Sequence, residues 1–549
     1  MTTQGVTPVG ADVGSGARPR APWSRARLIA AGRAAPTWAA CFGCGAAAAY
    51  VNQPWGVLPG LLGYAGMFRL VDRGRGGGQT FARGWLSGAG YFLVSLWWIA
   101  NPFFVDAKDQ GWMAPLAVPL VTAGMALFWG LASLLYRLVA AHTGAARVLA
   151  FAAALAAAEW LRGHVLTGFP WDLPGETWKA GSAPSQVAAF VGAYGLTWIT
   201  LVGAAAPGLI DEGRKGALAA LAGVGLILSL YAAGAARLAS APPRPPAGGA
   251  PTIRVVQAGI PEAVKYDPAW FPTIVDRYVT LTRRPSGAAL PQIVVWSEGA
   301  IPAPLEDYLA PGTWTEAAIA DALSPGQVLI LGGYRLVPHP NGELTAFNSL
   351  ELLKRRPDGL ALETFYDKHR LVPFGEYMPL APLARTLGIE QLVHVGDGFE
   401  AGPPPRPRRA AGAPPFQPLI CYESLFPGFA HAGERAAGYR PAWIVNISND
   451  SWFGTGMGPA QLLNLAAYRA IEEGLPMVRA TPTGYSAVID AYGRIAPGQR
   501  LGQGAAGVID APLPPPLPPT LYARWGEGPF FAMLALSLVG LRWRRRERG

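Results

Sequence analysis

The sequence predicts two parts, a membrane domain of several α-helices and an α/β domain outside the membrane. Of the 549 residues, 51% are hydrophobic and only 15% are charged, whereas soluble domains carry about 25% charged residues. Long apolar segments crowd the chain before residue 237, and short runs of β-branched residues begin at Ile253. The change of pattern between these positions divides the chain.

The apolar segments of the first part are predicted to be membrane spans, seven of them before residue 237 and an eighth near the C-terminus. A spanning helix needs about 20 apolar residues; the segments at 55–71 and 147–162 are the short ones. Residues 1–27 are rich in Gly, Pro and Arg, which predicts a disordered basic N-terminus. The predicted spans are 34–52, 55–71, 84–100, 113–138, 147–162, 185–210, 216–235 and 527–542.

The loops between the predicted spans alternate in positive charge. Arg73 and Arg75 follow the second span, Arg214 and Lys215 follow the sixth, and the chain ends in RWRRRERG. The intervening loops are poor in basic residues. Because Lys and Arg accumulate on the cytoplasmic side, we expect both termini in the cytoplasm and the large segment after the seventh span outside it.

The second part is predicted to be an α/β domain with short strands and intervening helices. Its strand-like runs are IRVVQ, QIVVW, VLILGGY, NSLELL, FQPLI, WIVNIS, VRAT and SAVIDAYG, and residues 270–282 and 461–474 are helix-like. The predicted organisation is a seven-span domain at 28–236, a linker at 237–251, the α/β domain at 252–512, a proline-rich spacer at 513–526, and a C-terminal transmembrane helix with a basic tail at 527–549.

Charge and cysteine content narrow the function classes. The net charge of +10 could suggest nucleic acid, but much of it lies at the chain ends and beside apolar segments, so no nucleic-acid partner is predicted. Cys41 and Cys44 form a C-x-x-C inside an Ala-rich apolar stretch with no second pair, and we interpret them as packing residues. No spacing indicates a metal site, and no cofactor is predicted.

Three apolar runs end in residues that can carry chemistry. The run FQPLICYESLF reaches Cys421, QIVVWSE ends at Glu298, and ETFYDK ends at Lys368. A single buried cysteine is more often structural than catalytic. A thiol becomes a nucleophile as the thiolate, however, and a nearby carboxylate and ammonium can take its proton and stabilise its charge.

Glu, Lys and Cys in this chain order match the catalytic set of the nitrilase superfamily. The flanking sequences WSEGAIP, YDKHRLVPFGEYMP, CYESLFP and NISNDSWFG resemble the periplasmic domain of the apolipoprotein N-acyltransferase family, membrane enzymes that add the third acyl chain to bacterial lipoproteins. The resemblance implies an α-β-β-α sandwich, an oxyanion held by Lys368 and the backbone N–H of Tyr422, and supporting carboxylates at Glu376 and Glu423.

The resemblance also implies the substrates and the location. Cys421 would take an acyl chain from a phospholipid as a thioester and pass it to the α-amine of a diacylated apolipoprotein. The enzyme would lie in the bacterial inner membrane among membrane lipid, with its catalytic domain in the periplasm. The rival interpretations are a membrane-anchored amidase and a catalytically dead scaffold or transporter.

Five residues are predicted to contact substrate. Tyr266 stands where the family carries a tryptophan, and Trp452 lies in the SWFG motif. Trp171 lies in an FPW element of the loop 163–184, although the favoured interpretation of Trp171 and Trp178 is that they are anchors at the membrane interface. Leu387 and Leu392 belong to the apolar segment 377–400, which is either a lid that meets lipid or ordinary packing. The family's histidine after SWFG is absent from GPAQLLN, and Pro482-Thr483 replaces Asn-Asn; both changes bear on substrate detail.

Overall fold

The computed structural model describes residues 25–140, 144–241, 249–287, 289–340, 342–379, 386 and 398–546. Its first part is helical and its second part contains two β-sheets. The helices of the first part are α1 (Arg25–Ala49), α2 (Leu62–Asp72), α3 (Gly77–Leu96), α4 (Ala107–Gln110), α5 (Ala114–Val139), α6 (Ala146–Arg162), α7 (Ala188–Ala205) and α8 (Gly213–Ala239), with 3-10 turns at Leu58–Leu61, Trp97–Phe104, Gly111–Met113, Val165–Thr167, Pro184–Val187 and Ala206–Leu209.

Three helical stretches of the described residues are long and apolar enough to cross a membrane: Ala107–Val139, Pro184–Leu209 and Gly213–Ala239. The segment 55–71, predicted to be a membrane span, instead forms a 3-10 turn followed by the 11-residue α2. Pro54 directly precedes the segment and Pro59 lies in its first half, and proline cannot donate the backbone hydrogen bond of a helix interior. That segment is therefore shorter than the thickness of a bilayer requires.

The helices of the first part pack through small residues and a common aromatic core. A Cβ on Gly45 would collide with the carbonyl of Ser87, so the backbones of α1 and α3 cross in direct contact. Phe68, Trp129 and Phe151 are buried in the core beside them. The same buried cluster continues into the second part, which therefore packs directly against these helices.

Within the described part of the chain, twelve strands form two six-stranded sheets. They are β1 (Thr252–Gln257), β2 (Ile293–Val295), β3 (Val328–Pro338), β4 (Leu344–Arg356), β5 (Gly359–Asp367), β6 (Arg408–Ala410), β7 (Ala413–Ile420), β8 (Trp443–Ile447), β9 (Met477–Ala480), β10 (Ala487–Ile489), β11 (Ile495–Arg500) and β12 (Gly507–Pro512). The first sheet has the order β12-β1-β2-β3-β4-β5 and the second β11-β10-β9-β8-β7-β6. In each sheet the three strands β1-β2-β3 or β7-β8-β9 run parallel, and the others are antiparallel.

The two sheets pack face to face with helices on their outer sides. Ile293 and Val295 face Val445 and Ile447 across a buried layer between the sheets, whereas Val294 points outward. This alternation follows from the two-residue period of a strand. The α-β-β-α sandwich is therefore confirmed. Its remaining helices are α9 (Glu262–Lys265), α10 (Phe271–Thr282), α11 (Leu305–Tyr308), α12 (Trp314–Ala322), α13 (Phe429–Ala437), α14 (Met457–Glu473), α15 (Leu521–Trp525) and, last, α16 (Gly528–Arg546).

Helix α14 joins the sandwich to the loop 163–184 of the helical part. Tyr468 donates from its hydroxyl to the carbonyls of Gly175 (3.1 Å) and Trp178 (2.8 Å). Arg469 pairs with Glu176 at 2.9 Å, and both side chains are buried. Buried charges are stable only when they are paired in this way. The loop thus lies between the two parts of the molecule.

Candidate active site

The three predicted catalytic residues line one cavity. Cys421 follows β7 directly, Lys368 follows β5, and Glu298 comes three residues after β2. Strands β2 and β5 belong to the first sheet and β7 to the second, so the carboxyl ends of strands from both sheets meet at the cavity. The cavity has a volume of about 130 Å³ and is partly open to solvent.

Only one of the two carboxylate oxygens of Glu298 accepts hydrogen bonds from the described residues. Its Oε1 accepts hydrogen bonds from Asn348 Nδ2 at 2.7 Å and from Lys368 Nζ at 3.5 Å. Its Oε2 is buried and accepts no hydrogen bond from the described residues. A buried oxygen without a partner is costly, so Oε2 is the atom that is ready to take a proton.

Lys368 is a fully buried ammonium between two carboxylates. Its Nζ lies 2.8 Å from Glu376 Oε2 and 3.5 Å from Glu298 Oε1. Burial by itself lowers the pKa of Lys368, but the charges of Glu376 and Glu298 outweigh it and raise the pKa above its usual value. The side chain therefore stays positively charged and can stabilise a negative sulfur or oxygen beside it.

Cys421 is presented by a strained turn. Its backbone has a φ of +48°, a left-handed conformation that side-chain-bearing residues rarely adopt and that clusters at functional sites. Burial and, secondarily, the charge of Glu298 raise the pKa of Cys421 to about 12, although Lys368 and a hydrogen bond with Ser448 act in the opposite direction. The resting side chain is a neutral thiol, so its reaction requires a base.

Glu423 ties the nucleophile turn to the strand that carries Lys368. Its Oε1 accepts from Tyr366 Oη (2.7 Å) and from the backbone N–H groups of His369 (2.8 Å) and Arg370 (3.1 Å). Its Oε2 accepts from the N–H of Ile420 at 2.8 Å. The carboxylate thus holds the ends of β5 and β7 at a constant distance and does not reach the cavity itself.

Glu376 and Asn348 complete the arrangement. Asn348 Nδ2 donates to Glu298 and, at 2.6 Å, to Glu376 Oε1, so one amide orients both carboxylates. Glu376 Oε2 also accepts from the N–H of Val372 at 2.8 Å. Asn348 is not predicted from the sequence, where its only signal is a polar residue at the start of the apolar run NSLELL.

Tyr422 connects the nucleophile turn to the helical part. Its hydroxyl donates to the carbonyl of Gly168 at 2.5 Å, and its ring stacks on Phe169. Arg162, at the end of α6, forms a fully buried ion pair with Glu159 and donates to the carbonyls of Phe169 and Trp171.

Only some of the predicted substrate contacts lie at the cavity. Tyr266 and Trp452 line the cavity and are partly exposed. Trp171 does not line it, because its ring is buried between Trp98 and Phe453, with ring centroids 4.5 Å and 5.9 Å away. As Trp178 is buried as well, the alternative of interface anchors is wrong for both tryptophans. Leu387 and Leu392 lie outside the described residues.

The remaining walls of the cavity are mostly apolar and come from both parts of the molecule. Pro102 belongs to the helical part, whereas Phe453 belongs to the sandwich. Asn101 donates from Nδ2 to the carbonyl of Phe453 at 2.7 Å and fixes this junction. The other apolar lining residues are Ile301, Pro302, Val372, Phe399 and Trp452. An apolar chain can therefore lie beside the polar catalytic groups.

Comparison with known proteins identifies the family. Residues 42–206 match the model of the apolipoprotein N-acyltransferase N-terminal domain, and residues 252–517 match the carbon-nitrogen hydrolase model. The apolipoprotein N-acyltransferase of Caulobacter vibrioides is 52% identical over 501 residues, which cover 90% of this chain and 92% of that protein. This chain belongs to the apolipoprotein N-acyltransferase family.

Other apolipoprotein N-acyltransferases agree over similar lengths. The one from Rhodopseudomonas palustris is 36% identical, with 85% of this chain and 86% of that protein covered. The one from Bradyrhizobium diazoefficiens is 39% identical, with 91% and 94% covered. The prediction of an acyltransferase of lipoprotein maturation is confirmed by these relatives, and the three apolar helical stretches agree with a membrane enzyme.

Proposed function

We propose that Cys421, Glu298 and Lys368 catalyse a two-step acyl transfer from a phospholipid to the N-terminal amine of a diacylated apolipoprotein. The observation that carries this proposal is the convergence of the three side chains on a single cavity with apolar walls. Both substrates carry long acyl chains, and a cavity between a helical membrane part and a sandwich suits them.

In the first step Cys421 Sγ attacks the carbonyl carbon of an acyl ester. Glu298 Oε2 takes the thiol proton, because the pKa of about 12 keeps Cys421 neutral until a base acts. The carbonyl oxygen becomes negative in the tetrahedral intermediate, beside the Lys368 ammonium and the backbone N–H of Tyr422. Glu298 then returns its proton to the leaving oxygen, the C–O bond breaks, and a lysophospholipid departs from a Cys421 thioester.

In the second step the α-amine of diacylglyceryl-cysteine attacks the thioester. An α-amine has a pKa of about 8, so a useful fraction is unprotonated at neutral pH. Glu298 takes the proton that the nitrogen loses when the amide bond forms. The sulfur leaves and recovers a proton, which restores the neutral thiol. Glu376, Asn348 and Glu423 take no part in the bond changes and act as positioning residues.

The location follows from the charge pattern of the loops. We place the sandwich, with approximate bounds 252–512, on the periplasmic side of the inner membrane and both termini in the cytoplasm. Tyr266 and Trp452, at the cavity wall, are proposed contacts for the acyl chains.

The proposal is tested by the mass of the intact protein. With phospholipid and no acceptor, the protein should gain one acyl mass on Cys421, and hydroxylamine should remove it. Cys421→Ala should gain none, Cys421→Ser should react slowly, and Lys368→Ala should lose about 10²–10³ in rate, as the removal of one oxyanion donor does elsewhere. A diacylated lipopeptide should then receive the chain on its amine.

Two results would overturn this assignment. Full activity of Cys421→Ala, or an adduct on another residue, would contradict the mechanism. Release of a free acid from a small amide, with no transfer from phospholipid, would instead favour a membrane-anchored amidase. No reaction with either substrate would favour a dead scaffold.

A further inference from the structure

Lys265 is a second buried lysine in the cavity, and the two-step mechanism does not use it. It ends α9, is 4% exposed and lines the cavity wall. Its Nζ donates one long hydrogen bond, 3.4 Å, to the backbone carbonyl of Glu298. Among the described residues it forms no ion pair within 4 Å. The buried carboxylate of Glu262, at the start of the same short helix, interacts with its charge from farther away, and the ring of Tyr266 lies 5.6 Å from Nζ.

A buried ammonium with one long hydrogen bond is unusual, because a buried charge is normally paired. The contrast with Lys368 makes this clear, since that ammonium is neutralised by Glu298 and Glu376. The ammonium of Lys368 is thus already paired with two carboxylates in the resting site. The described residues that line the cavity include two lysines, Lys368 and Lys265, and of these only Lys265 has no carboxylate within 4 Å.

The backbone beside Lys265 is shaped to admit its ammonium. Gly299 has a φ of +57°, and a Cβ at that position would lie 2.5 Å from Lys265 Nζ. A side chain at position 299 would push the Lys265 ammonium away from the backbone of Glu298. Gly299, which follows Glu298 in WSEG, therefore leaves room for the Lys265 ammonium next to the proposed base.

We propose that Lys265 binds the phosphate of the phospholipid donor while its ester faces Cys421. The proposal rests on the proposed acyl transfer. The ester and the phosphate are joined by one glycerol, so the anion must lie close to the base when the ester carbonyl reaches the thiol. The contact of Lys265 with the backbone of Glu298 supplies that proximity, and the apolar walls receive the chains.

The test compares two donors that differ only in the phosphate group. Phosphatidylglycerol and the diacylglycerol with the same chains are presented in the same detergent micelles, and the rate constant for acyl-enzyme formation is measured with each. The wild-type protein is expected to prefer the phospholipid at least tenfold. Lys265→Met should lower this preference at least tenfold, and Lys265→Arg should restore most of it. Lys179→Met, at an exposed lysine outside the cavity, is the matched control and should leave the preference unchanged.

Each outcome decides the matter. Equal loss with both donors in Lys265→Met would assign Lys265 to holding the backbone of Glu298 and would overturn the proposal. If that variant does not fold, the wild-type preference decides, and equal rates with both donors would refute phosphate recognition. Inorganic phosphate should not slow acylation by diacylglycerol; inhibition that disappears in Lys265→Met would assign the site to free phosphate instead. Failure of the wild-type protein to form any acyl-enzyme would refute the proposed transfer and not this site alone.

Discussion

Asn348 Nδ2 donates a hydrogen bond of 2.7 Å to Glu298 Oε1 and thereby leaves Glu298 Oε2 as the free oxygen of the proposed base. The amide hydrogens orient the carboxylate, and a carboxylate in the wrong orientation cannot reach the thiol. Precise placement of a proton acceptor is a main part of general-base catalysis.

Asn348→Ala should therefore slow acyl-enzyme formation by about 10- to 100-fold, in the range of a lost general-base contribution. The donor concentration for half-maximal rate should change little, because Asn348 acts through Glu298. Single-turnover acylation measured by intact mass, together with the unfolding temperature, checks this expectation. A rate within twofold of the wild type in a folded variant would show that Glu298 needs no such support.

Glu298→Gln should have opposite effects on two reactions of Cys421. Glu298 contributes to the raised pKa of the thiol, so its neutralisation lowers that pKa and enlarges the thiolate fraction at alkaline pH. Iodoacetamide should therefore label Cys421 faster in the variant at pH 9–10, in a background without Cys41 and Cys44. The thiolate fraction changes about tenfold for each unit of pKa. Acyl transfer should be lost, since the base is gone; loss of both reactions would show that the turn has unfolded.

Tyr422→Phe should weaken the link between the nucleophile turn and the helical part. The hydroxyl bond to Gly168 is buried, and such a bond contributes about 0.5–1.5 kcal/mol to stability. We expect a lower unfolding temperature and a several-fold loss of activity, while the backbone N–H of residue 422 remains. Tyr439→Phe is the matched control, because its hydroxyl donates to the carbonyl of Pro407 away from the cavity. Equal effects of the two substitutions would contradict a specific role for Tyr422.

For the segment 377–400 the sequence leaves two alternatives, a lipid-contacting lid and ordinary packing, and substitutions distinguish them. Its ends meet at the cavity, where the N–H of Phe399 donates to the carbonyl of Glu376 at 2.9 Å. Leu387→Glu or Leu392→Glu should impair turnover of long-chain phospholipid, because a charge in a lipid-contacting patch is costly to bury. Leu362→Glu, at a half-exposed leucine of β5, is the control. Normal turnover in both lid variants would favour ordinary packing.

The charge pattern of the loops predicts the orientation in the membrane. A reporter inserted after Gly312, in an exposed turn of the sandwich, should be active only outside the cytoplasm, and one after Arg75 only inside it. Fusion activity measured in intact cells checks this. Cytoplasmic activity at Gly312 would contradict the proposed topology and the access of the site to periplasmic lipoproteins.

Local sequence determined the two-part architecture, because hydropathy and strand periodicity are properties of short segments. It also singled out Glu298, Lys368 and Cys421, since each stands at or just after the end of an apolar strand run and therefore at the sheet edge. The domain helices at residues 270–282 and 461–474 were expected at nearly their observed positions for the same reason.

Only the tertiary structure decided which distant groups meet. Asn348 lies 50 positions from Glu298, and Tyr422 lies 254 positions from Gly168, so no local pattern indicates either hydrogen bond. The burial of Trp171 and the lack of a close ion pair at Lys265 could not be predicted from the sequence either. Both depend on every element that packs around the side chain. A sequence reports the chemistry that a residue can perform, whereas the packing of the two parts determines which partners are within its reach.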